Sequence, residues 1–119
     1  MDLKNIMQFN NFVVAGNTLL EEKYAYKIKH ALLEHGYNVA CIDKEYQDLS
    51  EIPFAIEILD LCIHPAKGLK ILQDNTRDIQ AVVIQPGAES PEIIDFLTKH
   101  NIPFIEGCLL VGLSLYPKN

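Results

Sequence analysis

Phe12 to Ala15 (FVVA) is a short unbroken apolar run halted by Gly16-Asn17. A run this short, bounded by turn residues, predicts a buried strand that delivers the chain into a turn. Tyr24, Ile28, Ala31 and Leu32 then fall at helical spacing, with Lys23, Lys27, Lys29 and Glu34 largely on other faces. Gly36 suits the left-handed position just past that helix. Tyr37 to Ile42 (YNVACI) predicts a second strand closed by Asp43-Lys44, and Ile58 to Ile63 (ILDLCI) a third closed by His64-Pro65. Between them, residues 45–55 have no period and contain Pro53, which predicts a loop with one short helical turn.

Leu69, Ile71 and Leu72 give the next helix an apolar face, although Gly68 lowers its propensity. Ala81 to Ile84 is the fourth predicted strand, and Ser90-Pro91 starts a helix, serine capping free N–H groups and proline fitting the first helical position. Ile93, Ile94, Phe96 and Leu97 form its apolar side. Pro103 to Glu106 predicts a short fifth strand, and Gly107 to Leu115 is an apolar tail to which the pattern assigns no form. Strands alternating with helices over short connections predict an α/β fold: one doubly wound, Rossmann-like parallel sheet of about five strands with helices on both faces. Residues 1–119 read as one domain with its core at about 12–112, without internal repeats.

Composition narrows the function. With 119 residues and 49% hydrophobic content, one core is expected. No stretch approaches the ~20 apolar residues of a membrane span, and MDLKNIMQFNNF lacks the pattern of a signal peptide, so a soluble cytoplasmic protein is expected. Cys41, Cys62 and Cys108 are odd in number and widely spaced, which suits reduced thiols. His30, His35, His64 and His100 make no ligand spacing with cysteines or carboxylates, so no metal site is expected. The formal charge of −6 argues against nucleic acid as the main partner. It leaves room for a small anionic ligand, which helix N-termini bind regardless of net charge.

In a doubly wound sheet the ligand lies outside the carboxyl ends of the strands. The residues there are Gly16, Asn17 and Thr18 after the first strand, Asp43 and Lys44 after the second, and His64 and Pro65 after the third. Gln85, Pro86 and Gly87 follow the fourth, and Gly107 and Cys108 the fifth. Gly16 permits close backbone approach, with Thr18, Lys23 and Lys27 as nearby donors, but AGNTLLEEK has one glycine and no dinucleotide fingerprint. Asp43 lies 27 residues after Gly16, roughly where a dinucleotide fold places its ribose-binding acid. Gln85 offers an amide that can bond a neighbouring loop or a ligand. Cys108 as a nucleophile would need an activating partner, and the sequence assigns none. No catalytic residue is assigned, and a binding role without catalysis is expected.

Taken in order, KYAYKIKHALLEHGYNV (Lys23 to Val39), EILDL (Glu57 to Leu61), IQPGAES (Ile84 to Ser90) and Gly107-Cys108 resemble the small stand-alone CoA-binding domain family, Rossmann-like proteins related to the CoA-binding domain of succinyl-CoA synthetase. The resemblance covers about residues 12 to 112 and implies CoA or acyl-CoA as ligand. It implies the pyrophosphate near the first strand-helix loop (Gly16, Asn17, Thr18, Lys23) and the adenosine near Asp43 and Lys44, while Gln85-Pro86-Gly87 match the family's Gln-Pro-Gly. The chain departs from the family's pattern at Ala15-Gly16-Asn17, where Gly-Ala-Ser is typical, and at Ala25, where the first helix has glycine. Asp43-Lys44 replaces Asn-Pro, the segment after Lys44 is short, and His64 stands as the closest basic residue to the family's arginine. An acid at position 43 disfavours a nearby phosphate unless Lys44 offsets it. The alternative expectation is a degenerate member that has lost nucleotide binding and acts as a homodimer through the apolar tail CLLVGLSLY.

Overall fold

The computed structural model describes residues 1–118, in which five parallel strands form one sheet. They are β1 (Asn11–Gly16), β2 (Asn38–Asp43), β3 (Ile58–Leu61), β4 (Ala81–Ile84) and β5 (Phe104–Glu106), in the order β2-β1-β3-β4-β5. Val13, Ala15, Ile42, Leu59, Leu61 and Val82 point to one face, against α3 (Pro65–Asp74) and α4 (Pro91–Lys99), which contribute Leu72, Ile93 and Leu97. Phe12, Val14, Cys41, Ile58, Ala81 and Val83 point to the other, against Ala25, Ile28 and Leu32 of α2 (Tyr24–Glu34) and Leu109 and Leu113 of α5 (Leu109–Leu115). Strict alternation along strands buried on both faces explains why each reads as a continuous apolar run.

The predicted short helical turn is the 3₁₀ turn Leu49–Glu51, capped by Asp48. Tyr46 makes an isolated parallel bridge to Ile42 outside β2. In the dinucleotide fold a third strand lies there. Here the order β2-β1-β3-β4-β5 makes β2 an edge, and Tyr46 supplies a single bridge beside it.

Two helices were not predicted. α1 (Leu3–Ile6) begins in a capping box between Asp2 and Asn5 and delivers Ile6 and Met7, both fully buried. The apolar tail is α5, whose Leu109 and Leu113 lie one turn apart facing the core. Gly112, which obscured the helical signal, admits Met7: a Cβ there would lie 2.8 Å from the Met7 sulfur. Several predicted strand ends also shift by one or two residues: Tyr37 precedes β2, donating its hydroxyl to the Met7 carbonyl at 2.7 Å, Pro103 precedes β5, β1 and β2 run one residue further to Gly16 and Asp43, and β3 stops at Leu61.

Arg77 secures the loop before β3. Its guanidinium donates to the carbonyls of Leu49 and Ile52, both at 2.9 Å, and of Phe54 at 2.7 Å. Because these three carbonyls have a charged donor from one side chain, Arg77→Ala should lower stability by about 2–4 kcal/mol in urea unfolding. Arg77→Lys should recover less than half of that, since an ammonium cannot reproduce the planar fork.

Candidate functional site

The chain leaves β1 in one direction to form β2 and returns on the other side to form β3, so the two crossovers diverge at the carboxyl ends of β1 and β3. The N-termini of α2 and α3 converge on that crevice. It is a cleft of about 390 Å³ lined by Asn17, Lys23, Tyr24, Asp43, Lys44, His64 and Lys67, with Ala25, Cys62 and Ile63 deeper in. Five residues singled out from sequence, drawn from three different strand ends, thus share one wall.

Each is held for a local reason. The Asn17 side-chain oxygen accepts from the N–H groups of Leu19 and Leu20, fixing the turn before α2. His64 caps α3, its Nδ1 accepting from the Ala66 N–H at 3.1 Å, and Pro65 takes the first helical position. Asp43 ends β2 with φ of 100°, a left-handed conformation unusual for a side chain other than glycine or asparagine. Its carboxylate lies 3.7 Å from Lys67 Nζ. Lys67, in the first turn of α3, is therefore the cation that offsets the acid; the sequence pointed to Lys44.

Gly16 and Thr18 occupy other places. Gly16 has φ of 154°, and a Cβ on it would lie 2.4 Å from the Cys62 carbonyl oxygen and 2.9 Å from Ala25 Cβ. Its lack of a side chain is required where β1, β3 and α2 meet, with or without a ligand. Thr18 is buried, and its hydroxyl donates to Glu45 at 2.9 Å, as does Lys29. Burial pushes the Glu45 carboxyl up, but hydrogen bonds from Lys29, Cys41 and Thr18 outweigh it and leave the group below its ordinary value. This cluster fastens the loop after β2 to α2, outside the cleft.

Two further hollows adjoin. One, of about 240 Å³, lies on the α3 side between the end of β2 and the 3₁₀ turn, with Ile42, Leu49 and Ile71 as apolar walls and Gln47 and Asp48 at its polar rim. It shares Asp43, Ile63 and Lys67 with the central cleft. The other, of about 180 Å³, lies on the α2 and α5 side and is lined by Tyr24, Cys62, Gln85, Pro86 and Cys108. It shares Tyr24 and Cys62 with the cleft. Gly87, with φ of 93°, turns the chain beyond it.

Behind this last hollow lies a group the sequence reading did not place in the site. Asp60 is fully buried on β3, between Val14 and Val83 in register. Gln85 Nε2 donates to one carboxyl oxygen at 2.6 Å, and the other oxygen has no partner among the described residues. Burial pushes the carboxyl up to about 7, opposed only by the Gln85 bond. Burial likewise pushes the Cys62 thiol up to about 12, with Asp60 and Cys108 adding to the effect. Cys62 is therefore a thiol rather than a thiolate at neutral pH. Among the described residues no group of three or more histidine, cysteine or acidic side chains is placed to hold a metal ion, and no helix is long and apolar enough to cross a membrane.

A family model described as "CoA binding domain" matches residues 10–114. No curated protein matches. Among solved structures, a hypothetical protein from Pyrococcus horikoshii superposes with a TM-score of 0.85 at 18% identity, over 96% of this chain and 89% of its own. A protein from Thermus thermophilus gives 0.80 at 21%, over 96% and 98%, and a conserved hypothetical protein from Pyrococcus furiosus gives 0.75 at 24%, over 87% and 98%. These likenesses bear out the doubly wound fold.

Proposed function

This chain belongs to the CoA-binding domain family, and on that premise we propose that it binds a CoA-type nucleotide and catalyses no reaction of its own. The observation that supports the reading is the continuity of the three hollows. The central cleft shares a wall with each of the other two, and together they cross the carboxyl edge of the sheet from the α3 layer to the α2 and α5 layer, as an elongated ligand would. The apolar hollow beside β2 suits a nucleobase. The central cleft, where two helix N-termini meet Lys23, Lys44 and Lys67, suits a diphosphate.

In a thermal-shift panel, about 1 mM CoA should raise the melting temperature by at least ~5 °C, because binding only the native state stabilises it by mass action. Absence of any shift with CoA, ADP and NAD would sink the reading. Asp43→Asn removes the one acid lining the central cleft and should tighten CoA binding by roughly 3- to 10-fold in calorimetry, while Lys67→Ala should weaken it by a similar factor.

A second reading, association of two copies through α5, draws on Val111 and Leu115. They lie one helical turn apart and are 47% and 61% exposed, beside the partly exposed Tyr116. Native mass spectrometry of freshly purified protein separates the two: an apo dimer indifferent to nucleotides favours assembly, a liganded monomer favours binding.

A further inference from the structure

We propose that Asp43 makes the site select a nucleotide whose base-bearing ribose keeps both hydroxyls free, and reject one phosphorylated at the 3′ position. The selectivity rests on the nucleotide reading above and fixes which member of that ligand class the site takes.

The hollow suited to a nucleobase and the cleft suited to a diphosphate meet at Asp43, Ile63 and Lys67, which line both. In an adenosine diphosphate the ribose joins base to phosphate, so a ligand seated in both lays its ribose against those three side chains. Ile63 offers no polar atom, and Lys67 can only donate. Asp43 is the one acceptor of the three. Its carboxylate is 24% exposed and accepts no hydrogen bond among the described residues. The Lys67 ammonium, at 3.7 Å, is near enough to attract it and too far to donate to it. Two carboxylate oxygens with free lone pairs match two adjacent hydroxyls, each of which brings a donor. A dinucleotide fold reads an unphosphorylated ribose in this way, from an acid beyond its first strand-helix unit.

The backbone holds that carboxylate at the junction. Asp43 pairs with Gly16 in register, and its N–H donates to the Tyr46 carbonyl at 2.9 Å. The Tyr46 N–H donates in turn to the Cys41 carbonyl at 3.0 Å. The turn thereby keeps an acid at φ of 100°, a conformation that glycine or asparagine takes more readily.

A 3′-phosphate would add about 1.5 to 2 negative charges at the junction and bring acceptors only. Each lysine lining the hollow already faces an acid. Lys70 pairs with Asp74 at 3.0 Å, and Lys67 faces Asp43 on one side and the central cleft on the other. Asp48, at the rim, adds a further acid. Lys44 lines the central cleft, on the diphosphate's side. In a partly buried setting, carboxylate and phosphate a few ångströms apart repel more strongly than they would in water.

Calorimetry near neutral pH with dephospho-CoA and CoA, which differ by the 3′-phosphate alone, tests this. The natural chain should bind dephospho-CoA roughly tenfold or more tightly than CoA. Asp43→Asn should move the two in opposite directions, CoA binding roughly 3- to 10-fold more tightly and dephospho-CoA roughly threefold more weakly, so that the preference vanishes. Asparagine suits the left-handed conformation at position 43, so this variant keeps the fold. 3′-Deoxy-ADP, which keeps the charge of ADP and lacks one hydroxyl, should bind the natural chain roughly threefold or more weakly than ADP. A purely structural Asp43 would instead shift both members of each pair alike. Equal affinities for CoA and dephospho-CoA, or a preference for CoA, would overturn the selectivity and leave the nucleotide reading standing. A preference that survives Asp43→Asn, or ADP binding no more tightly than 3′-deoxy-ADP, would overturn it as well. If none of the four ligands binds, the nucleotide reading fails and the selectivity falls with it.

Discussion

Replacing Asp60 with asparagine should make the chain progressively more stable than the natural one as pH rises from about 4 to about 8, the difference changing by about 2–4 kcal/mol across that range. In the folded chain the carboxyl stays protonated up to about 7, whereas its ordinary value is 3.8. Between those limits the folded state holds a proton that the unfolded state has released. The stabilisation attached to that proton is complete below about pH 4 and is lost as pH rises through about 7, at up to ~1.4 kcal/mol per pH unit. Asparagine at position 60 carries no such proton and keeps a carbonyl for Gln85. Urea midpoints of both chains at a series of pH values decide the matter: a constant offset would show that Asp60 is ionised throughout. The slope is the informative quantity, because an asparagine N–H₂ left unpartnered in the core adds a pH-independent penalty of about 1–3 kcal/mol.

Gly16→Ala should destabilise the chain by about 3–5 kcal/mol and lower its melting temperature by roughly 10–20 °C. The added Cβ would meet the Cys62 carbonyl oxygen at 2.4 Å, and backbone on a central strand cannot yield as a side-chain tip can. The φ of 154° adds strain of its own, because alanine does not favour that region. Ala25→Gly in the same chain should restore only a small part, since it relieves the 2.9 Å contact and leaves the carbonyl where it was. Thermal unfolding of the single and double variants checks this. A loss under about 1 kcal/mol would mean that β1 and β3 can separate at their ends.

Gly16 also shows where sequence reading succeeds and where it stops. A glycine after the first strand was legible as a place of close approach, and what approaches in the fold is the neighbouring strand and helix. The strands and most helices were legible because each apolar run or stripe follows from local periodicity. Asn17, Lys23, Asp43, Lys44 and His64 could be placed at one edge because strand ends in a parallel sheet gather there. Lys67 was missed because it lies within a helix; Pro65 at the first helical position was the available signal that Lys67 falls in the first turn, near the cleft. Thr18 read as a donor for a ligand, but Glu45 and Lys29 draw it inward, and an ion pair formed across 16 residues leaves no periodic trace. Asp60 was visible in EILDL as an acid inside an apolar run. Only the register beside Val14 and Val83 reveals it as buried and half-partnered.

The single bridge between Ile42 and Tyr46 bears on how copies of this chain can meet. Tyr46 takes up the outward Cys41 carbonyl and Asp43 N–H of β2, at 3.0 and 2.9 Å, so the carboxyl half of that edge has no free ladder to offer an incoming strand. The opposite edge, β5, is three residues long, too short a template to recruit a neighbour. Sheet extension from one copy to the next is thereby discouraged at both margins, protecting the chain from edge-to-edge aggregation and leaving helix faces as the surfaces through which copies could pair.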